Sequence, residues 1–243
     1  MRSVPARLGY AALRAQIPPP GMRLLARYRE QWAFRELLDR LGTTLFLDVG
    51  ANDGTFAESV RRMGYKGRIV SFEPNPDDYE KVVELASGDK DWTVEWCALG
   101  SEPGTASLNV TGTGNNSVFS SLLTPTKAPP ASRVVDVPVH RLDALWDRFV
   151  KTDDRVFLKT DTQGFDLRVL QGLGSRLAEI RGIQIELNVV KLYEGCPHYL
   201  TVLEFLESSG FSVMEMRPNH YTAEGFIIEF DCFAARASAL APR

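Results

Sequence analysis

The stretch that most restricts the fold is Leu45-Phe46-Leu47-Asp48-Val49-Gly50-Ala51-Asn52-Asp53-Gly54, an apolar run closing on a carboxylate and breaking into a glycine-rich turn. A helical pattern begins at Thr55 and stops at Gly64. An almost unbroken apolar run reads as a strand buried on both faces, as in a parallel sheet, and a parallel strand needs a crossover to reach its neighbour. The sequence supplies that alternation: a strand over Arg68 to Glu73, a helix over Asp77 to Ala86, and a third strand over Thr93 to Ala98. It resumes with a helix near Leu142 to Phe149, a strand over Val156 to Asp161, a helix from Phe165 to Ile180, a strand over Gly182 to Leu187 and a helix over His198 to Ser209. The runs Phe211 to Arg217 and Gly225 to Phe233 have only a turn between them and must pair antiparallel. A doubly wound α/β fold with right-handed crossovers is predicted.

Between these halves, Thr105 to Val110 and Val134 to Val139 read as added strands, and Thr111 to Arg133 as a loop rich in Gly, Asn, Ser, Thr and Pro. A loop that long inside a compact domain is usually functional or mobile. The expected organisation is a basic arm and helix over 1–43, the main domain over 44–236 and a tail over 237–243. Within the arm, Met22 to Leu41 carries Leu25, Tyr28, Trp32, Leu38 and Leu41 at near-helical spacing, and Gly42 ends it. This reads as a helix packed on its own domain or on a dimer partner, in preference to a membrane-surface helix or a lid.

Charge narrows the partners. Eight Arg and three acids give residues 1–43 a charge of +5, whereas 20 basic and 28 acidic groups give 44–243 a charge of −8. An acidic body repels nucleic-acid phosphate, so nucleic acid is not expected as a partner. Cys97, Cys196 and Cys232 form no C-x-x-C pair, which argues against a disulfide framework or a cysteine zinc site. No apolar run reaches the ~18 to 20 residues of a membrane span. Leu8 to Leu13 is too short for a secretory h-region. A cytoplasmic protein is expected.

In an open α/β sheet, ligands bind beyond the carboxyl ends of the strands. Those ends are Asp48 to Gly54, Glu73-Pro74-Asn75, Cys97 to Gly100, Lys159 to Gly164 and Glu186-Leu187-Asn188, and four of the five carry a carboxylate. A dinucleotide turn, G-x-G-x-x-G, needs its second glycine for close approach of a pyrophosphate, but Gly50 is followed by Ala51 and Asn52. Asp48 disfavours a pyrophosphate and suits a ligand bearing an ammonium and a sulfonium, such as S-adenosylmethionine. Glu73 is placed to accept from both ribose hydroxyls, a role shared with NAD sites. An NAD-linked oxidoreductase therefore stands as an alternative, and a non-catalytic module with a nucleotide-like fold as a third reading.

Asp48 to Gly54, Phe72 to Pro76, Ala98-Leu99-Gly100, Arg141-Leu142-Asp143, Leu158 to Gly172 and Glu229-Phe230-Asp231 together resemble the FkbM family of S-adenosylmethionine-dependent methyltransferases, over roughly 45–236. The resemblance implies a Rossmann-like, seven-stranded, mostly parallel sheet with a C-terminal antiparallel hairpin. It also implies methylation of a hydroxyl oxygen on a sugar, glycolipid or natural product. Carried over, it puts Asp48, Gly50, Asn52 and Gly54 around the methionine moiety, Glu73 on the ribose, and Ala98 and Leu99 beside the adenine, with Ala51 and Asn75 also among the cofactor-binding residues. Asp161 would face the methyl group. Asn116, Ser117 and Ser121 resemble a recurring segment that closes over the cofactor. Gln163 stands where many relatives carry Glu.

An alcohol is a weak nucleophile near neutrality, so a base contributes. Asp161 is the first candidate, with His198 and His140 as competitors. Lys159 lies on the opposite face of its strand from Thr160 and could offset charge near Asp161. No His/Asp/Glu grouping has zinc spacing, so no metal ligands are assigned. Oxygen ligands leave little sequence trace, so Asp161 and Glu186 stand as the pair that would hold a labile Mg²⁺.

Overall fold

The computed structural model describes residues 20–112 and 114–240, and the backbone alone for 20–28 and 114–116. The expectations for residues 1–19, and for the side chains of Leu25, Tyr28 and Asn116, lie outside the described residues. In chain order the elements are α1 (Pro20–Arg40), β1 (Leu45–Val49), α2 (Thr55–Arg62), β2 (Arg68–Phe72), α3 (Pro76–Ala86), β3 (Trp92–Glu95), β4 (Ala98–Leu99), β5 (Gly104–Val110) and β6 (Arg133–His140). They continue with α4 (Leu142–Phe149), β7 (Val156–Thr160), α5 (Asp166–Gln171), β8 (Ile180–Asn188), α6 (Tyr199–Ser208), β9 (Ser212–Tyr221) and β10 (Ile227–Ala235).

The main sheet has seven strands in the order β3-β2-β1-β7-β8-β10-β9. β3, β2, β1, β7 and β8 run parallel, and β10 and β9 form the antiparallel hairpin. The chain winds outward from β1 to β3 and then restarts beside β1 at β7, so the crevice of this topology opens at the carboxyl ends of β1 and β7. All five residues of β1 and of β7 are buried, as strands covered on both faces require. Alternation sends Phe46 and Phe157 to one side, where they stack 5.7 Å apart and meet Phe34 of α1 edge-on. Leu45, Leu47 and Leu158 go to the other side, against Trp146 of α4 and Leu170 of α5. Burying each such side chain contributes about 1.5–3 kcal/mol.

The added strands pair antiparallel with each other, and β4 joins them to make a second, three-stranded sheet in the order β4-β6-β5. This corrects one boundary. The expected third strand, Thr93 to Ala98, is split: β3 leaves the main sheet after Glu95, and Ala98–Leu99 pairs with Val139 and His140 instead.

Two other elements depart from expectation. The helix expected from Phe165 to Ile180 stops at Gln171, and a 3-10 turn, Gly174–Glu179, completes the connection. Gly174 sits at φ +50, a left-handed conformation that ends a right-handed helix. In α1 the buried face is Phe34, Leu37 and Leu38, continued by Leu41 just past the helix, whereas Trp32 is 66% exposed. The helix therefore packs on its own sheet, with Leu38 and Leu41 of the expected stripe buried and only Trp32, of its described members, turned outward. Among the described residues, no helix is long and apolar enough to cross a membrane.

Candidate active site

Two cavities meet at the carboxyl ends of β1 and β7. The first, about 670 Å³, extends from Val49 and Gly50 past Glu73 to Leu99 and the 117–122 segment. The second, about 1280 Å³, lies on the α1 side of the sheet. Gly50, Asn52 and Asp161 line both.

The turn after β1 explains why the two cavities approach here. Gly50 has φ +72, and a Cβ there would lie 2.1 Å from the carbonyl oxygen of Asp161. Glycine thus lets the β1 and β7 ends touch, with the Asp161 N–H donating to Val49 O at 3.1 Å. Glu73, just beyond β2, accepts from the Asn52 N–H at 2.7 Å and the Asn75 N–H at 2.8 Å. Burial pushes its carboxyl up to about 8, outweighing those two hydrogen bonds. An N–H that a dinucleotide turn would aim at a pyrophosphate is here directed at a carboxylate, which speaks against the NAD reading.

Several expected residues line the first cavity: Gly50, Asn52, Glu73, Ala98, Leu99, Ser117 and Asp161. Cys97, Leu108 and Pro74 complete an apolar slot beside Ala98 and Leu99. Burial raises the Cys97 thiol to about 12, so it is inert near neutrality. Ser121 donates to Gln163 O at 2.8 Å and lines the same cavity, fastening the loop to the end of β7.

Others fall elsewhere. Asp48 does not reach either cavity. Its carboxylate is fully buried, ion-paired with Lys159 Nζ at 3.1 Å and hydrogen-bonded by Ser71 at 3.2 Å. The strand-end carboxylate expected on the ligand instead neutralises a buried lysine, because the pleat turns Asp48 into the sheet row it shares with Lys159. Burial opposes the Lys159 charge, but Asp48 and Asp161 outweigh it and hold the ammonium above the ordinary lysine range. Ala51 lines the second cavity and not the first. Gly54 precedes α2 at φ +80 and packs against Leu85, and Asn75 reaches the site only through its N–H to Glu73. His198 lines neither cavity. Its Nδ1 accepts from the Leu200 N–H at 3.4 Å as the N-cap of α6, and its ring lies on Tyr199. The imidazole expected as a base is a helix cap. His140 ends β6 and lies exposed, likewise outside both cavities.

Sequence reasoning missed a polar hub below Asp161. Gln163 occupies φ +54, a conformation costing a non-glycine residue about 1–2 kcal/mol. Its Nε2 donates to Asp161 Oδ1 at 3.2 Å and to both oxygens of Glu186 at 3.2 and 3.3 Å, while the Tyr193 hydroxyl donates to its Oε1 at 2.8 Å. The amide thus stands between the two carboxylates proposed for Mg²⁺, and among the described residues no group of three or more His, Cys, Asp or Glu could hold a metal ion. Burial first, then the charges of Asp161 and Glu229, raise the Glu186 carboxyl well above its usual range. Glu229 and Asp231 of β10 join this cluster opposite Asn188 and Glu186, and His220 lies 2.5 Å from Glu229. Burial and the Asp161 charge raise Asp231 to about 6. The signal for the pair was present: two acids at a spacing of two in the apolar β10 run must share one face.

An apolar slot ending at a carboxylate with two ordered N–H groups can hold a purine and the diol of its ribose, and Asp161 can meet the charged end of such a ligand. Residues 48–213 match the family described as the methyltransferase FkbM domain. A fungal protein of Beauveria bassiana named Methyltransferase 1 is 26% identical over 194 residues, covering 72% of this chain and 75% of that one. The crystal structure of a methyltransferase FkbM from Methylobacillus flagellatus superposes with a TM-score of 0.51 at 15% identity. It covers 79% of this chain, which spans only 43% of that longer one, and at that identity it bears on the fold alone. The chain belongs to the FkbM family of S-adenosylmethionine-dependent methyltransferases.

Proposed function

We propose that this protein methylates a hydroxyl oxygen of a small acceptor of the sugar, glycolipid or natural-product kind. The observation that carries the reading is the position of Asp161, whose side of the β7 end is common to both cavities. In this arrangement the first cavity holds the donor: Ala98 and Leu99 flank the adenine, Glu73 accepts from the ribose hydroxyls, and Gly50 and Asn52 border the methionine moiety. S-adenosylmethionine, when bound, supplies a methyl group from a sulfonium whose carbon–sulfur bond breaks with the electron pair remaining on sulfur.

The chain's own contribution is alignment and proton acceptance. Holding both reactants in line contributes on the order of 7 to 11 kcal/mol. Asp161 Oδ1 is tied to Gln163, and Oδ2 takes no hydrogen bond among the described residues. That oxygen accepts the hydroxyl proton as the acceptor oxygen forms its new bond to carbon, and the proton then leaves to solvent through the open second cavity. Such assistance is worth about 10²- to 10⁴-fold in rate. Gln163 acts as a positioning residue, fixing the Asp161 carboxylate by its amide.

The test is incubation with methyl-labelled donor and a panel of hydroxylated metabolites and sugars, followed by NMR location of the label. A methyl ether is expected, with Asp161→Asn slowing turnover by more than it weakens donor binding. Label on nitrogen or carbon, or equal loss of donor binding in Asp161→Asn, overturns the assignment.

A further inference from the structure

The second cavity differs from the first in the polarity of its wall. Four carboxylates line it, those of Glu30, Asp53, Asp161 and Asp231, together with two cations, Lys159 and Arg217. Both cations are already neutralised from behind. Lys159 Nζ is paired with Asp48 at 3.1 Å and donates to Gly50 O at 2.7 Å. The Arg217 guanidinium donates through Nε and Nη2 to both oxygens of Glu215, each at 2.6 Å, and lies over the Phe233 ring. The charge left facing the cavity is therefore negative.

One acceptor on this wall also lacks a donor. Gln184, only 7% exposed, lines the cavity beside Asp231, and its Oε1 has no partner among the described residues. A buried acceptor without a donor costs about 1–3 kcal/mol, so a ligand that supplies N–H or O–H groups gains from this wall. Phe34, Phe56 and Phe233 add ring surface for the carbon face of such a ligand.

We propose that the second cavity is the acceptor site and takes a polyhydroxylated molecule bearing an amino group, its ammonium against Asp231 and its reacting hydroxyl at Asp161. This rests on the methyltransferase reading above and gives it a substrate class. An ammonium held by a carboxylate has no lone pair, so the nitrogen is not methylated and the transfer stays on oxygen. An acceptor carrying a carboxylate or phosphate would meet four like charges and is excluded.

The test measures binding and needs no knowledge of the natural acceptor. The protein is first titrated with S-adenosylhomocysteine, and the complex is then titrated with glucosamine, glucose or glucuronate, followed by calorimetry and ligand-observed NMR. Glucosamine is expected to bind about tenfold or more tightly than glucose, with no glucuronate binding. Asp231→Asn should abolish the preference for glucosamine over glucose, and Gln184→Leu should weaken both alike, with S-adenosylhomocysteine binding retained as the measure of folding. Equal affinities, preference for glucuronate, a preference that survives Asp231→Asn, or no saturable binding of any sugar would overturn the proposal. Failure of S-adenosylhomocysteine itself to bind would strike the donor assignment instead.

Discussion

Glu73→Gln probes how the donor cavity recognises its ligand. In the folded protein the Glu73 carboxyl is raised by burial from 4.5 to about 8 even though it accepts two backbone N–H bonds. Ribose hydroxyls donate to the ionised form, so ligand binding must drive off a proton whenever the pH lies below that value. Each pH unit well below about 8 then costs 1.36 kcal/mol of binding, and affinity falls roughly a hundredfold from its high-pH plateau by pH 6. Affinity rises with pH and levels off near 8. 5′-Methylthioadenosine is the suitable probe, because it keeps the adenosine and lacks the amino-acid group that would titrate alongside. Calorimetry in buffers of different ionisation enthalpy should show close to one proton released per site at pH 6, falling toward none above 8. In Glu73→Gln the release and the pH slope should both vanish, and one of the Asn52 and Asn75 N–H groups faces an amide N–H, weakening binding at pH 8 by about 1–3 kcal/mol. The same raised carboxyl stabilises the unliganded fold below 4.5 and loses that contribution as the pH climbs through about 8, so the variant should unfold with a flatter pH dependence. Identical slopes in wild type and variant would refute the reasoning.

Lys159→Met should destabilise by about 3–5 kcal/mol in urea unfolding, because it strands the fully buried Asp48 carboxylate, and Asp48→Asn in the same chain should recover most of the loss. Gln163→Glu places a third carboxylate against Asp161 and Glu186; since Glu186 is already raised by burial, the variant's thermal midpoint should fall further below wild type as pH rises from about 5 to about 8. A constant gap between the two curves would contradict that cluster. His198→Ala should lower stability by about 1 kcal/mol through loss of the α6 cap and leave methyl transfer unchanged, and a hundredfold rate loss would restore it as a catalytic base.

The alternation of apolar runs, glycine turns and helical spacing was enough to determine the doubly wound sheet, its closing hairpin and the loops that border the crevice. The reason is that parallel strands need crossovers of fixed hand, so local pattern leaves few topologies. The same logic placed Glu73 and Asp161 at the rim, since each directly follows an apolar strand. Tertiary packing decided the rest. Asp48 and Asp161 look alike in the sequence, one at a strand end and one just past it, yet the pleat buries the first against Lys159 and leaves the second on a shared wall. Asp231, Gln184 and Arg217 become neighbours only because the hairpin adds beside β8 in one register, opposing Asp231 to both Glu186 and Arg217. A one-residue slip of that register would turn each of them to the other face. Local sequence says that a ligand binds at this edge of the sheet; the pairing of strands distant in the chain sets the charge of the surface it meets.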